Sequence, residues 1–140
     1  MAKSLSSLRA QLLQLAEDIQ QLQEIFLERE PLLPGSVYTL KRRCGKPNCR
    51  CVEGHLHQTE VLSYRGGLRP RNITAQPAQL DRFKQGTEAY RRFRQARAQL
   101  VKRQRQLIKL VDLIEAERVR QGKRKFNVSP QQISSSTGKR

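Results

Sequence analysis

The sequence predicts an α+β fold in which a small three-stranded antiparallel sheet is flanked by two long helices. Apolar residues recur at intervals of three and four residues near both ends, β-forming residues cluster in the middle, and glycine and proline separate these regions. The 140 residues suffice for one domain, and an apolar content of 36% leaves only a thin core. Domains with so little core commonly depend on an additional stabilising element.

Residues 1–30 predict an N-terminal coiled-coil helix. Ser4 or Ser6 is suited to cap its start, and Glu30-Pro31 is expected to end it because the residue before a proline resists helical geometry. The apolar residues follow the alternating gaps of three and four that mark an a/d coiled-coil seam. They are Leu5, Leu8, Leu12, Leu15, Ile19, Leu22 and Phe26.

Residues 36–75 predict the sheet. Gly66-Gly67 is expected to form a two-residue hairpin turn, and Pro70 places its strand at a sheet edge because proline lacks a backbone N–H. The three predicted strands are Ser36–Arg43, Gln58–Arg65 and Leu68–Ala75. A cysteine-rich loop joins the first strand to the second.

Residues 77–121 predict a long basic helix with a candidate break at Gly86-Thr87 and a C-terminal stop at Gly122. Arg103 interrupts a second apolar seam that contains Phe93, Ala96, Leu100, Leu107, Leu110 and Ile114. Folding the two helices into an antiparallel coiled-coil-like pair within one chain would bury both seams. A homodimer would bury the same residues, so both arrangements stay open. The tail, residues 122–140, is expected to be disordered and basic.

The cysteine-rich loop has the spacing of a structural metal site. Cys44, Cys49 and Cys51 are followed by His57 in the pattern C-x4-C-x-C-x5-H. Three thiolates and one imidazole complete a tetrahedral shell for zinc (Zn2+). His55 is the competing fourth ligand. Three buried free cysteines, an iron–sulfur cluster and a redox thiol pair are the alternatives to zinc.

The motif CGKPNCRC with a following G-x-x-H, ahead of a long helix that contains YRRFR, resembles a family of short uncharacterised bacterial and archaeal proteins. Many of them are encoded near transposases and other mobile elements. The resemblance extends from Ser36 to Leu113, and it implies that Cys44, Cys49, Cys51 and His57 are the matching positions. The family usually continues His-Gly-Pro, whereas this chain reads His57-Gln58-Thr59. The resemblance implies no particular activity.

The charge is strongly positive and unevenly distributed. The chain has 28 Lys and Arg against 12 Asp and Glu, a net charge of +16, yet residues 1–30 have only three bases against five acids. A field of this sign attracts polyanions, of which nucleic acid is the commonest in cells. The candidate binding residues around the metal loop and hairpin are Lys41, Arg42, Arg43, Lys46, Arg50, Arg65, Arg69 and Arg71.

The second helix adds an outward basic stripe about 27 Å long at 1.5 Å per residue. Its members are Arg91, Arg94, Lys102, Arg105 and Lys109. Aromatic residues suited to base stacking are scarce, at 5% of the chain. This favours contact with the phosphate backbone of DNA or structured RNA over a single-strand binder built on stacked bases.

These features predict a non-enzymatic, zinc-stabilised nucleic-acid-binding accessory protein, with a larger protein of a mobile-element complex as a candidate partner. The alternative is a protein–protein adaptor that acts through its coiled coil. A catalytic subunit is disfavoured because the acids form no paired constellation for two-metal chemistry. We expect a cytoplasmic protein, since the three cysteines suit a reducing compartment and the sequence shows neither a signal peptide nor a membrane span.

Overall fold

A computed structural model describes residues 3–128. Helix α1 and a three-stranded antiparallel sheet precede helix α2, so the predicted α+β class with two helices and three strands is confirmed. The elements are α1 (Leu5–Phe26), β1 (Ser36–Arg42), a 3-10 turn (Arg50–Glu53), β2 (His57–Gly66), β3 (Arg69–Thr74) and α2 (Pro77–Lys125).

The described chain divides into two compact units. Residues 3–24 and 98–128 form one unit, which consists of most of α1 and the second half of α2. Ile25–Arg97 forms the other, which contains the sheet, the cysteine-rich loop and the first half of α2. We call them the helical unit and the sheet unit.

Helix α1 begins with the expected serine cap. Ser4 Oγ accepts a hydrogen bond from the backbone N–H of Ser7 at 3.2 Å, which satisfies one of the free donors of the first turn. The helix ends at Phe26, four residues before the predicted end at Glu30. Phe26 is the last residue of the apolar seam, and Leu27 beyond it is 77% exposed. Residues 27–30 contain no other apolar residue, so a further helical turn would extend the seam by Leu27 alone.

The sheet has the order β1-β2-β3, with both pairings antiparallel. Val61 and Leu62 on the central strand are both buried, and because successive side chains point to opposite faces, each face of the sheet is covered at this point. Pro70 lies on the edge strand β3, as predicted. The predicted turn is wrong by one residue: Gly66 pairs with Arg69, and the turn is therefore Gly67-Leu68.

Helix α2 is continuous from Pro77 to Lys125, so the predicted break at Gly86-Thr87 is absent. The connector before β1 approaches the helix closely at this glycine, where the backbone N–H of Leu33 donates to Gly86 O at 3.0 Å. A Cβ at position 86 would lie 2.8 Å from the Cβ of Leu33. Gly86 thus permits close contact with the connector and does not end the helix.

Gly122 does not end α2 either, which corrects the predicted stop. Asn127 adopts the left-handed conformation at φ 55°, and its N–H donates to Arg124 O. The N–H of Val128 donates to Lys123 O at 2.9 Å, which completes the hydrogen-bond pattern of a Schellman cap. Of the predicted disordered tail, residues 122–125 are helical, and residues 129–140 lie outside the described residues.

Both predicted seams are shielded from solvent. Leu8 and Leu15 of α1 and Ala96 of α2 are buried, and the remaining apolar seam residues are half-buried. In the helical unit, Arg103 at its seam position forms an ion pair with Asp18 of α1 at 3.6 Å. In the sheet unit, the Phe26 and Phe93 rings meet edge to face with centroids 5.2 Å apart. Coiled-coil geometry itself remains a prediction.

Neither described helix is both long enough and apolar enough to cross a membrane.

Candidate metal centre

The cysteine-rich loop begins and ends at neighbouring positions on the sheet. Arg42, the last residue of β1, pairs with His57, the first residue of β2. Antiparallel pairing therefore returns the chain to the end of β1 after the 14 intervening residues, 43–56. Cys44 lies near one end of this loop and His57 immediately after the other, so strand register brings these two side chains to the same end of the sheet.

The loop interior turns tightly around Cys49 and Cys51. The N–H of Val52 donates to Cys49 O at 3.2 Å, and the N–H of Gly54 donates to Cys51 O at 3.3 Å, which forms the short 3-10 turn. Gly54 ends that turn with φ 103°, a conformation that L side chains rarely adopt. The turn directs both thiols toward Cys44 and His57.

The four candidate ligands lie together. Their sulfur and nitrogen ligand atoms all fall within 4.8 Å of one another, close enough to bind a metal ion. Cys44 Sγ is 3.6 Å from Cys51 Sγ, and Cys49 Sγ is 3.1 Å from His57 Nε2. Ligands in a tetrahedral zinc shell lie about 3.6–3.8 Å apart, given zinc–sulfur and zinc–nitrogen bonds of about 2.3 and 2.1 Å. The Cys44–Cys51 distance matches this spacing and the Cys49–His57 distance is shorter, so the donor set is one that suits zinc and lies close enough to bind a metal ion.

The cluster has a buried side and an exposed side. Cys51 is 0% exposed, Cys49 is half-buried, and Cys44 and His57 face solvent. All three cysteines are free thiols. Cys51 would bind a metal ion at this position from the buried side of the cluster. Cys44 and His57 would bind it from the side that faces solvent.

The local hydrogen bonds separate the acidities of two thiols. The backbone N–H of Lys46, followed by the Cys51 thiol, stabilises the Cys44 thiolate and lowers the pKa of Cys44 to about 6. The backbone N–H of Cys44 acts to lower the pKa of Cys51, but burial and the neighbouring Cys44 and Cys49 thiols outweigh it and raise that pKa. A metal ion binds the thiolate form of cysteine. Because its pKa is lower, Cys44 forms the thiolate more readily than Cys51 and is expected to bind a metal ion first.

His55, the competing fourth ligand, is not part of the cluster. It lies in the loop before β2, where its backbone N–H donates to Arg50 O at 3.3 Å. The glutamate nearest along β2, Glu60, accepts a hydrogen bond from Thr39 Oγ1 at 2.8 Å. Its carboxylate is therefore engaged on the sheet surface.

The eight predicted binding residues of the loop and hairpin fall in one stretch, residues 41–71, which we call the central segment. All eight are exposed: Lys41, Arg42, Arg43, Lys46, Arg50, Arg65, Arg69 and Arg71. Between residues 3 and 128, no salt bridge or side-chain hydrogen bond includes any of them. The segment has only two acids, Glu53 and Glu60. Its positive charge is thus left uncompensated by the described residues.

The predicted basic stripe on α2 is also exposed, but its five residues differ in their surroundings more than the eight cations of the central segment do. Arg91 and Arg94 lie in the sheet unit, where Arg91 is 3.5 Å from Glu88. Lys102, Arg105 and Lys109 lie in the helical unit, where Lys109 lines a groove beside Asp18 and Leu15 of α1. Lys109 therefore borders the contact between the helices and does not point directly away from it.

Sequence reasoning missed two features. It placed Leu68 inside the third strand, whereas the structure puts it at the hairpin tip with its side chain fully exposed. It also gave no partner to Arg103, which contacts Asp18. For Leu68, the available signal was the Gly-Gly pair, because either glycine can come first in the turn. For Arg103, the signal was its position in the seam, opposite an acidic helix.

Comparison with known proteins identifies a family for this chain. No curated protein and no solved structure shows significant similarity to the chain. The family described as Domain of unknown function (DUF6788) matches residues 5–85, which include α1, the sheet, the metal cluster and the start of α2. This match overlaps the resemblance inferred from the cysteine motif over residues 36–85. Because it covers more than half of the 140 residues, the chain belongs to the DUF6788 family.

Proposed function

We propose that the protein binds nucleic acid through the phosphate backbone, using a central segment that a structural zinc ion holds in place. It acts as a binding protein and not as an enzyme. Both DNA and structured RNA present the phosphates that such a surface contacts.

Zinc is the metal that best suits the cluster. Thiolates are soft ligands that favour zinc or iron–sulfur clusters, and a set of three thiolates with one imidazole is a common structural zinc shell. Four protein ligands fill a tetrahedral shell and leave no open position for water or substrate. Cys44, Cys49, Cys51 and His57 would hold the ion, which would tie the loop to β2.

The observation that carries the proposal is the set of eight unpaired cations in the central segment. Elsewhere, some of the arginines contact acids: Arg92 lies 2.8 Å from Glu28, and Arg103 lies 3.6 Å from Asp18. The cations of the central segment have no such partner among residues 3–128. Arginine forms bidentate hydrogen bonds with phosphate, and six of the eight are arginines. A polyanion is therefore the partner that would compensate them.

Exposed basic residues of α2 would extend the contact. Arg94, Lys102 and Arg105 are exposed, and between residues 3 and 128 none of them forms a salt bridge. We further propose that the protein is an accessory subunit of a mobile-element nucleoprotein complex. Support for this role comes from the cysteine motif's resemblance to proteins encoded near transposases.

Salt titration of binding tests the proposal. Fluorescence anisotropy would follow a labelled 30-base-pair DNA duplex and an RNA hairpin between about 50 and 300 mM salt. We expect log affinity to fall linearly with log salt, with a slope of about −0.9 for each phosphate neutralised on duplex DNA. Replacing Arg42, Arg43 and Arg50 with Ala should make the slope shallower by about 2 to 3.

The matched control removes the same charge elsewhere. Arg118, Arg120 and Arg124 lie at the end of α2, where Arg120 and Arg124 contact Glu117. Their replacement with Ala should change the slope by less than about 1. Equal losses in both variants would mean that net charge alone drives binding, and the central segment would then have no special role.

A protein–protein adaptor is the second candidate. Four large apolar side chains on the second half of α2 are about half exposed or more: Ile108, Val111, Leu113 and Val119. Such residues suit contact with another helix. An adaptor should bind nucleic acid only weakly. Replacing Arg42, Arg43 and Arg50 with Ala should leave that affinity unchanged.

A further inference from the structure

The hairpin of β2 and β3 extends beyond the rest of the sheet. Pairing of β1 with β2 ends at Ser36 and Ser63, whereas pairing of β2 with β3 continues to Gly66 and Arg69. Three further residues of β2 therefore form a two-stranded ribbon with β3. At about 3.3 Å per residue, the ribbon extends roughly 10 Å past the last β1 pair.

The tip of this ribbon is narrow and ends in leucine. Gly66 and Gly67 have no side chains, and Gly67 turns the chain with φ 87°. Leu68, the second turn residue, is 103% exposed. Two-residue turns usually use small polar residues, which lose nothing by facing water. Leucine here offers apolar surface that nothing among residues 3–128 covers.

Arginines flank the tip on both faces of the ribbon. Directly paired residues of antiparallel strands share a face, and successive residues alternate. Arg65 pairs with Pro70 and lies on one face, whereas Arg69 pairs with Gly66 and lies on the other, together with Arg71. None of the three forms a salt bridge within residues 3–128, and no acid occurs between Glu60 and Asp81.

A thin ribbon with an apolar tip and cations on both faces is suited to the minor groove of duplex DNA. That groove is about 6 Å wide and 7.5 Å deep, with a phosphate strand on either side. Proteins that enter it commonly insert an apolar side chain between base pairs, which unstacks the step and bends the duplex. The minor groove of an RNA duplex is wide and shallow and offers no such pair of close walls.

We infer that the hairpin is a DNA wedge. Leu68 inserts between base pairs from the minor groove, and Arg65 and Arg69 contact the two opposing phosphate strands. This inference rests on the proposed function and narrows its ligand to duplex DNA that is bent on binding. Flexible pyrimidine–purine steps such as TA should be preferred, because they unstack most easily.

The test uses the full chain loaded with zinc and a 30-base-pair duplex with 2-aminopurine beside a central TA step and a fluorophore pair at its ends. Wild-type protein should raise both the 2-aminopurine emission and the energy transfer. Leu68→Ala should abolish both increases and weaken binding about ten-fold, while the salt slope stays the same. The matched control is Leu13→Ala on α1, because Leu13 is also exposed, at 70%. This control should behave as wild type.

The outcomes separate the wedge from the proposed function. Salt-dependent wild-type binding without a rise in 2-aminopurine emission would overturn the wedge and leave phosphate binding intact. A rise in 2-aminopurine emission as large with Leu68→Ala as with the wild-type protein would also overturn the wedge and leave phosphate binding intact. An RNA duplex unstacked in a Leu68-dependent manner would overturn the assignment to DNA. Failure of the wild-type protein to bind DNA or RNA would overturn both proposals.

Discussion

His57 and His55 are two residues apart, but different parts of the structure position their side chains. His57 is held by the pairing of β1 with β2, opposite Arg42, and its Nε2 lies 3.1 Å from Cys49 Sγ. His55 belongs to the exposed loop and lies outside the cluster. This difference makes the pair a sensitive test of the proposed zinc site.

We predict that His57→Ala weakens zinc binding by more than about 100-fold, because the loss of a direct ligand should exceed the 10- to 100-fold effect of an outer-shell partner. His55→Ala should retain one zinc per chain. Elemental analysis after dialysis against a competing chelator would measure both. If His55→Ala loses zinc and His57→Ala retains it, the proposed ligand set is wrong.

At the scale of elements, the two glycines inside α2 differ in the space around them. A Cβ on Gly86 would lie 2.8 Å from the Leu33 Cβ, whereas a Cβ on Gly122 would meet nothing within 4 Å. Both positions are helical, so alanine gains up to about 1 kcal/mol of helix propensity at either. Only at position 86 does a steric clash oppose that gain.

We therefore predict that Gly86→Ala lowers the free energy of unfolding by up to about 2 kcal/mol, since overpacking costs about 1–3 kcal/mol and the helix-propensity gain offsets at most about 1 kcal/mol of it. Gly122→Ala should raise it by up to about 1 kcal/mol. Urea unfolding followed by circular dichroism would measure both. Stabilisation by Gly86→Ala would show that the connector does not pack against α2 as described.

Element boundaries show where sequence patterns carry information. The three-and-four spacing predicted the shielded faces of both helices because burial repeats along a helix, and Leu8 and Leu15 are buried as a result. A single glycine is ambiguous, since it can end a helix or admit a close neighbour. Gly86 admits Leu33, which is 53 positions away, and no local pattern reveals that contact.

The candidate site was predictable to a similar extent. The spacing of three cysteines and a histidine predicted a cluster because metal ligands must converge. His57 was favoured over His55 because it leaves a longer loop and lies at the start of the second predicted strand, and the resemblance supported the same choice. The exposed Leu68 was not predictable, because the turn position depends on strand register and either glycine could have begun the turn.

At the scale of the whole molecule, the candidate metal cluster lies in the sheet unit, whereas the buried leucines of the α1 seam lie in the helical unit. All four cluster residues belong to the sheet unit, and the helical unit contains none of them. Binding of structural zinc supplies about 10 kcal/mol in small peptides, comparable with the 5–15 kcal/mol that stabilises a whole domain. The helical unit instead buries Leu8 and Leu15, which require no metal.

We predict that metal removal unfolds the sheet before the helical unit. After treatment with a strong chelator, amide hydrogen exchange should become fast over residues 36–74 and remain slow over 5–24 and 98–125. Cys49→Ser should give the same pattern without chelator, and further chelation should then change little. Persistent protection of residues 36–74 would show that no metal supports the sheet. Simultaneous loss of protection in both regions would show instead that the two units unfold cooperatively, so that the helices depend on the metal as much as the strands do.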